Sequence, residues 1–203
     1  FFSFASMFHC LFCYLQYGVS VLRMEQLHER IFDRIFRGKS LKTVEMEVEG
    51  FLEEYFEPLL YQPVIQRLRQ AQERADRVVI LSSSPHFLVG PIASGVSRRG
   101  CARVLGGPVG RKRGVVGWEA TRYGCNTEGK MDRVASVLGG ESKAALLKGW
   151  LDQSIFSVEH VTVYSDSVED LSLLSAAGKA IVVRPRGRLR RIAQQYAWEM
   201  INE

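Results

Sequence analysis

The chain has 203 residues, 46% apolar and 24% charged, with a net charge of +5. That length fits one domain, or one domain with a modest insertion, and can bury a substantial core; the composition excludes wholesale disorder. Four cysteines, at positions 10, 13, 101 and 125, are too few for a disulfide framework in a chain of this size, so a reducing compartment is the simpler expectation.

Residues 1–22, "FFSFASMFHCLFCYLQYGVSVL", carry no charged side chain and are about the length of a membrane span. A signal peptide would show a basic start and a small-residue cleavage site, and neither is present. Ser3, Ser6, His9, Gln16, Gly18 and Ser20 dilute the apolar character, so a buried helix is expected ahead of a membrane anchor. The first residue is Phe rather than Met, as in a processed, truncated or fragmentary chain. Cys10 and Cys13 form a C-x-x-C beside His9, but no second ligand pair at metal spacing follows, and packing within the helix is expected over zinc or redox chemistry.

From Val21 to about Gln72 apolar residues recur at spacings of three and four: Leu27, Ile31, Ile35, then Leu41, Val44, Val48, Phe51, Leu52, Tyr55. This predicts helices. Gly38-Lys39-Ser40 breaks the first, Ser40 can cap the next, and Pro58 and Pro63 mark further boundaries. Alternation then begins: helix "VIQRLRQAQERA", strand "RVVILSSS", strand "VVGWEAT", helix "SKAALLKGWLDQ", strand "VTVYSDS", helix "VEDLSLLSAAG", strand "AIVV" and helix "GRLRRIAQQYAWEMI". Such alternation implies an α/β fold with a parallel sheet covered on both faces, behind a helical module.

Charge is uneven. Six bases and no acid lie between Arg98 and Arg113, and five bases and no acid between Arg184 and Arg191. Such clusters suit phosphate esters, lipid headgroups or nucleic acid, and suit a solvated surface as well. Aromatics do not interleave with them apart from flanking Trp118 and Tyr196, which argues against single-strand binding, and no nucleic-acid partner is expected. The Gly- and Arg-rich stretch around residues 97–116 reads as a long loop or insertion.

In a parallel α/β sheet, ligands bind outside the carboxyl ends of the strands, and three features can reach that edge. Ser82-Ser83-Ser84 ends a strand, where a hydroxyl and free amides can hold a phosphate oxygen; alternatively Ser84 caps a helix with Pro85 at its first position, and both can hold at once. Lys143 lies near a helix N-terminus, against the helix dipole, which invites a functional explanation, although taken alone such a residue is more often an ordinary surface lysine; Lys148 lies further along the same helix. Asp166 and Asp170 follow a strand. As hard oxygen donors they suit Mg2+, whereas a capping box would use Ser167 as N-cap and Asp170 at the third helical position, leaving Asp166 without a role.

The ordered set "VVILSSSPHFLVGPIA … ATRY … GGESKAALLKGWLDQ … VYSDSVEDLSLLSAAGKAIVVRPRGRLRRIAQQYAWEMI" resembles the haloacid dehalogenase superfamily, and within it the subfamily related to phosphoserine phosphatase. The likeness covers about residues 78–201. It implies a Rossmann-like core over residues 71–203 and a helical cap over residues 1–70. It further implies Ser82 and Ser83 as phosphate binders, Lys143 (with Lys130 as competitor) as the lysine neutralising phosphoryl charge, Asp166 as Mg2+ ligand, and Asp170 as the acid that supports the metal or orients the lysine. The family attacks phosphorus with an Asp of an N-terminal D-x-D-x-T, which occurs nowhere in the 203 residues; the first strand, which carries the nucleophile, is therefore expected to be missing.

The resemblance implies a small phosphorylated substrate and a Mg2+-dependent phosphomonoester hydrolase. The alternatives are an inactive phosphate- or metal-binding remnant, or a phosphatase held at a membrane through residues 1–22 instead of a cytoplasmic one. Arg184 and Arg186 stand where the family often has Asn and Asp.

Overall fold

The computed structural model describes residues 4–18, 22–99, 116–153 and 157–202. The basic insertion of residues 97–116 lies almost wholly outside them. The chain divides into two compact units, residues 1–60 with 71–137, and residues 61–70 with 138–203. The fold is mixed α/β, as expected from the alternation, with parallel strand pairs in both units.

The first unit contains helices α1 (Phe4–Gly18), α2 (Met24–Ile31, continued by a π turn through Phe36) and α3 (Leu41–Leu59). The order then runs strand β1 (Val78–Pro85), helix α5 (His86–Arg99) and strands β2 (Val116–Cys125) and β3 (Met131–Ser136), with helix α4 (Gln62–Glu73) between α3 and β1 in sequence. The break between α2 and α3 forms as the sequence predicts. Gly38 takes a left-handed φ of +79°, which glycine adopts without steric cost, and Ser40 caps α3 by accepting from the Thr43 N–H at 3.5 Å. The same break is tied to the β2–β3 hairpin: Gly38 N–H donates to the Met131 carbonyl at 2.7 Å and Met131 N–H to that of Lys39 at 2.9 Å. Phe32, Val44, Phe87, Tyr123 and Met131 form the buried cluster beneath.

Three expectations need correction here. β3 pairs antiparallel with β2, so this sheet is not purely parallel; the hairpin turn is held by Asn126 Oδ1, which accepts from the amides of Glu128 and Lys130 at 3.0 Å each. Ser84 does not cap a helix starting at Pro85, because β1 runs through Pro85, which pairs with Thr121, and α5 starts at His86. Finally, α1 is not the buried helix expected. Cys13 is buried with Leu22 and Leu27, but Leu11, Phe12, Tyr14 and Leu15 are all more than half exposed, since α2 covers one face only. Among the described residues no helix is long and apolar enough to cross a membrane.

The second unit holds residues 62–70 of α4, then helix α6 (Gly140–Asp152), strand β4 (Thr162–Ser165), a 3-10 turn (Val168–Asp170), helix α7 (Leu171–Ser175), strand β5 (Lys179–Val183), helix α8 (Gly187–Gln195) and strand β6 (Glu199–Ile201). Its sheet is parallel in the order β4-β5-β6. β5 is central, and Ala180 to Val183 are buried in succession, the continuous apolar run of a strand covered on both faces. Leu189 and Ala193, one turn apart on α8, pack with Leu174, Ala180 and Val182, leaving Arg188, Arg190 and Arg191 in solvent. Strand β6 lies where the sequence suggests more helix. Ala197 takes a φ of +52°, and Trp198 N–H closes the end of α8 on the Ala193 carbonyl at 2.8 Å, a left-handed helix stop normally given to glycine.

Two further backbone features bear on the strand ends. Arg184, directly after β5, has a φ of +45°; its amide donates to the Ile201 carbonyl and its guanidinium lies 5.4 Å from the Tyr61 ring centroid. A left-handed L-residue costs roughly 1–2 kcal/mol, partly offset by the greater unfolded-chain entropy of glycine, so Ala197→Gly should raise stability by up to about 1 kcal/mol in urea unfolding. A loss of stability on this substitution would show that the methyl group has a packing role.

Candidate functional site

The second unit brings three of the sequence-selected residues to the end of β4. Lys143, on the second turn of α6, is 6% exposed and Asp170 is 8% exposed. A buried ammonium and a buried carboxylate persist only when paired. Lys143 Nζ donates to Asp170 Oδ1 at 2.8 Å. The misplaced charge near the α6 N-terminus thus has its partner in the turn after β4.

The other Asp170 oxygen has a second partner. Ser165 Oγ–H donates to Oδ2 at 2.7 Å, and the same Oγ accepts from Ser167 N–H at 3.1 Å. Ser165, the last residue of β4, was not selected from the sequence. The signal for it was its position two residues before a cap serine and five before an acid, a spacing that only the fold converts into contact. Between these bonds the chain turns at Asp166, whose side chain is exposed and is held by no described partner.

The choice between capping box and acid site resolves into one part of each. Ser167 Oγ accepts from the Glu169 amide at 3.2 Å and so caps the 3-10 turn. Asp170 does not reach back to complete a box; it points inward to Lys143 and Ser165. Of the competing lysines, Lys130 is exposed in the β2–β3 turn and pairs with Glu128 at 3.0 Å, and Lys148 is exposed on α6.

Close approach of α6 to the turn depends on a missing side chain. A Cβ on Gly140 would fall inside contact distance of the Glu169 carbonyl oxygen. Gly178 is similarly confined, with a Cβ there meeting backbone of Val158 and Glu159.

Ser82 and Ser83 belong to the first unit. The β1–β2 register pairs Ser82 with Ala120 and next Pro85 with Thr121, so Ser83 and Ser84 bulge out of the ladder, a device common beside active sites. Ser82 Oγ accepts from the Ser84 amide at 3.1 Å, which fixes the bulge and leaves the hydroxyl proton available. Beside it, His86 Nδ1 accepts from the Tyr123 amide at 3.3 Å, and burial, then Arg122, holds this imidazole below its usual pKa.

The donor chemistry at the end of β4 fits a hard divalent cation. Asp166 offers open carboxylate oxygens, and Mg2+ commonly takes one or two protein carboxylates and completes its shell with water and phosphate. Among the described residues no group of three or more His, Cys, Asp or Glu side chains is clustered for a metal held by protein alone.

Comparison with known proteins gives concordant results. The model of the haloacid dehalogenase-like hydrolases matches residues 11–175. A probable phosphatase of Mycobacterium tuberculosis is 26% identical over 191 residues, which cover 94% of this chain and 60% of that relative's length. The fold is similar to that of a protein of unknown function from Bordetella pertussis, with a TM-score of 0.73, 22% identity, and coverage of 93% of this chain and 78% of the other. It is also similar to that of a probable phosphoserine phosphatase from Vibrio cholerae, with a TM-score of 0.65, 14% identity, and coverage of 96% and 51%.

Two substitutions test the geometry. Lys143→Met or Asp170→Asn alone should destabilise the chain by about 3–5 kcal/mol, because each strands a buried polar partner, and the double substitution should cost less than their sum; additivity in denaturant titrations would refute the pairing. Gly140→Ala should cost about 1–3 kcal/mol through overpacking on the Glu169 carbonyl, and unchanged stability would show that α6 stands further from the turn.

Proposed function

This chain belongs to the haloacid dehalogenase-like hydrolases, and on that premise we propose that the protein is a Mg2+-dependent phosphomonoester hydrolase of the phosphoserine-phosphatase-like group, acting on a small phosphorylated substrate. The observation that carries this reading is the buried Lys143–Asp170–Ser165 set with Asp166 left open at the strand end. A lysine and a divalent cation are what in-line phosphoryl transfer needs, since the reaction relies on positioning and charge neutralisation.

In this reading Asp166 is the carboxylate that holds Mg2+. Both Asp170 oxygens are engaged, so Asp170 acts by fixing Lys143 and the turn around Asp166. Lys143 Nζ has donors beyond the one given to Asp170 and offers them to phosphoryl oxygens. Ser82 and the Ser83 amide are assigned to phosphate binding in this proposal on the family resemblance. When bound, Mg2+ supplies charge neutralisation and orientation of the phosphate.

No D-x-D-x-T, the motif that carries the family's nucleophile, occurs in the sequence. The chain spans 60% of the length of the matched mycobacterial relative. The proposal therefore assigns the aspartyl-phosphate chemistry to a segment upstream of this chain, and helices α1 to α3 to the cap that selects the substrate. The helical cap over residues 1–70 and the core over residues 71–203 are part of the same proposal, as is a cytoplasmic setting.

The test uses p-nitrophenyl phosphate with Mg2+. The 203-residue chain should turn over no faster than its Asp166→Asn variant; clear turnover above that control would mean that another nucleophile exists. In a chain carrying an upstream D-x-D-x-T, Asp166→Asn should lower kcat/KM by about 100-fold or more, and EDTA should abolish activity reversibly. Full activity of that variant would remove Asp166 from the metal site.

A further inference from the structure

We propose that Arg184 and Tyr61 form an anion subsite at the carboxyl edge of the β4-β5-β6 sheet, which binds a second phosphate group of the substrate beside the one at Asp166. The inference rests on the reading of Asp166 as the Mg2+ ligand of a phosphatase, and it narrows the substrate to small molecules carrying two phosphate groups.

The register sets the position. β4 and β5 run parallel with Ser165 opposite Val182, Asp166 follows β4, and Arg184 follows β5. The two residues therefore leave neighbouring strands at the same edge, the one at which such sheets bind ligands. Adjacent strands lie about 5 Å apart, so one small molecule can reach both strand ends.

Arg184 is held at that edge against its own backbone preference. Its φ of +45° is left-handed, a conformation that an L-residue keeps only where its surroundings over-determine it, and such strain gathers at ligand clamps. The Arg184 amide donates to the Ile201 carbonyl at 2.6 Å, and the guanidinium lies over the Tyr61 ring, 5.4 Å from its centroid. Tyr61 is itself fixed at the start of α4, where its carbonyl accepts from the Val64 and Ile65 amides. Arg67 fastens α4 to β6 by pairing with Glu199 at 2.9 Å. A guanidinium over a ring face keeps its in-plane N–H donors, the fork that takes phosphate two oxygens at a time.

These donors lack acceptors. Arg184, Arg186 and Arg188 are exposed, and none of them pairs with a carboxylate among the described residues. Glu199, the only acid from residue 184 to residue 202, already serves Lys179 at 2.7 Å as well as Arg67. Tyr61 Oη, on the ring that the guanidinium covers, is buried with no hydrogen-bond partner among the described residues, a costly state for a hydroxyl. Several guanidiniums without a counter-charge suit a dianion better than a singly charged carboxylate, which selects a phosphate.

The experiment titrates the 203-residue chain, with Mg2+ present, against phenyl phosphate and against 1,4-phenylene bisphosphate, reading affinity by calorimetry and fold by circular dichroism. The wild-type chain should bind the bisphosphate about tenfold tighter, well above the statistical factor of about two given by its two equivalent ends. Arg184→Gly, which suits the left-handed backbone, should keep the fold and bring the ratio down to that statistical factor. Arg184→Lys, which keeps the charge without the planar fork, should fall between and serves as the test if Arg184→Gly does not fold. Tyr61→Phe, which keeps the ring under the guanidinium, should lower the ratio to about fivefold. Arg191→Gln removes the same charge further along α8 and should leave the ratio as in wild type. An unreduced ratio in the Arg184 variants or in Tyr61→Phe overturns the inference, as does a loss in Arg191→Gln equal to that in Arg184→Gly, which would mark a diffuse field instead of a site. Asp166→Asn separates this from the underlying reading: if it binds phenyl phosphate as tightly as wild type, the Mg2+ site falls and the subsite with it, whereas Asp166-dependent binding with no wild-type preference beyond the statistical factor removes the subsite alone.

Discussion

The buried Lys143–Asp170 pair constrains the second unit more than any other contact. Once the lysine is taken out of water near the amino end of α6, where the helix dipole already disfavours it, a carboxylate must come to it. That requirement draws Asp170 inward, away from the capping role that its spacing from Ser167 would allow. It also requires α6 to lie close against the 3-10 turn, which only a glycine at position 140 permits. Asp170 is in turn shared with Ser165, whose hydroxyl holds the Ser167 amide. The exposed Asp166 is framed by these bonds, so its open position is a product of the buried ion pair beside it.

The first unit reaches a comparable rigidity by different means. There several polar groups beside the aromatic cluster are paired with one another. The Ser82 hydroxyl satisfies the Ser84 amide, the His86 ring satisfies the Tyr123 amide, and the Tyr123 hydroxyl meets His28. Low-dielectric surroundings make such bonds strong when complete and costly when broken. The acid turn of the second unit is therefore held by charge, and the serine bulge and aromatic cluster of the first unit by hydrogen bonds.

Much of this was legible in the sequence, for identifiable reasons. Alternation of short β-branched runs with amphipathic segments gave the α/β class, and Gly38 and Ser40 announced the break between α2 and α3 through backbone chemistry that acts locally. Lys143 drew attention because it opposes a helix dipole. What stayed hidden depends on distance in space. Asp170 at its spacing from Ser167 is compatible with a cap or with an inward turn, and only the position of α6 decides. Ser165 looked like an ordinary strand residue.

The two missed strands have their own causes. β3 is short and half polar, and its hairpin signal was the Asn126 to Gly129 turn. β6 continues an apolar spacing that α8 had begun, and its break is made by Ala197 in a conformation for which sequence offers glycine as the usual sign. The apolar start of the chain announced a helix correctly, but composition does not say how many faces of a helix its neighbours cover.

The sequence separations of these contacts bear on the order in which the protein is made. Lys143 and Asp170 are 27 positions apart, whereas His28 and Tyr123 are 95 apart. Closing the longer loop costs about 1 kcal/mol more chain entropy, and contacts between near neighbours form sooner on average than those between distant ones. Synthesis runs the other way, delivering His28 and Tyr123 to the folding chain before Lys143 exists. The contact of the first unit is thus favoured by the order of synthesis, and that of the second by polymer statistics.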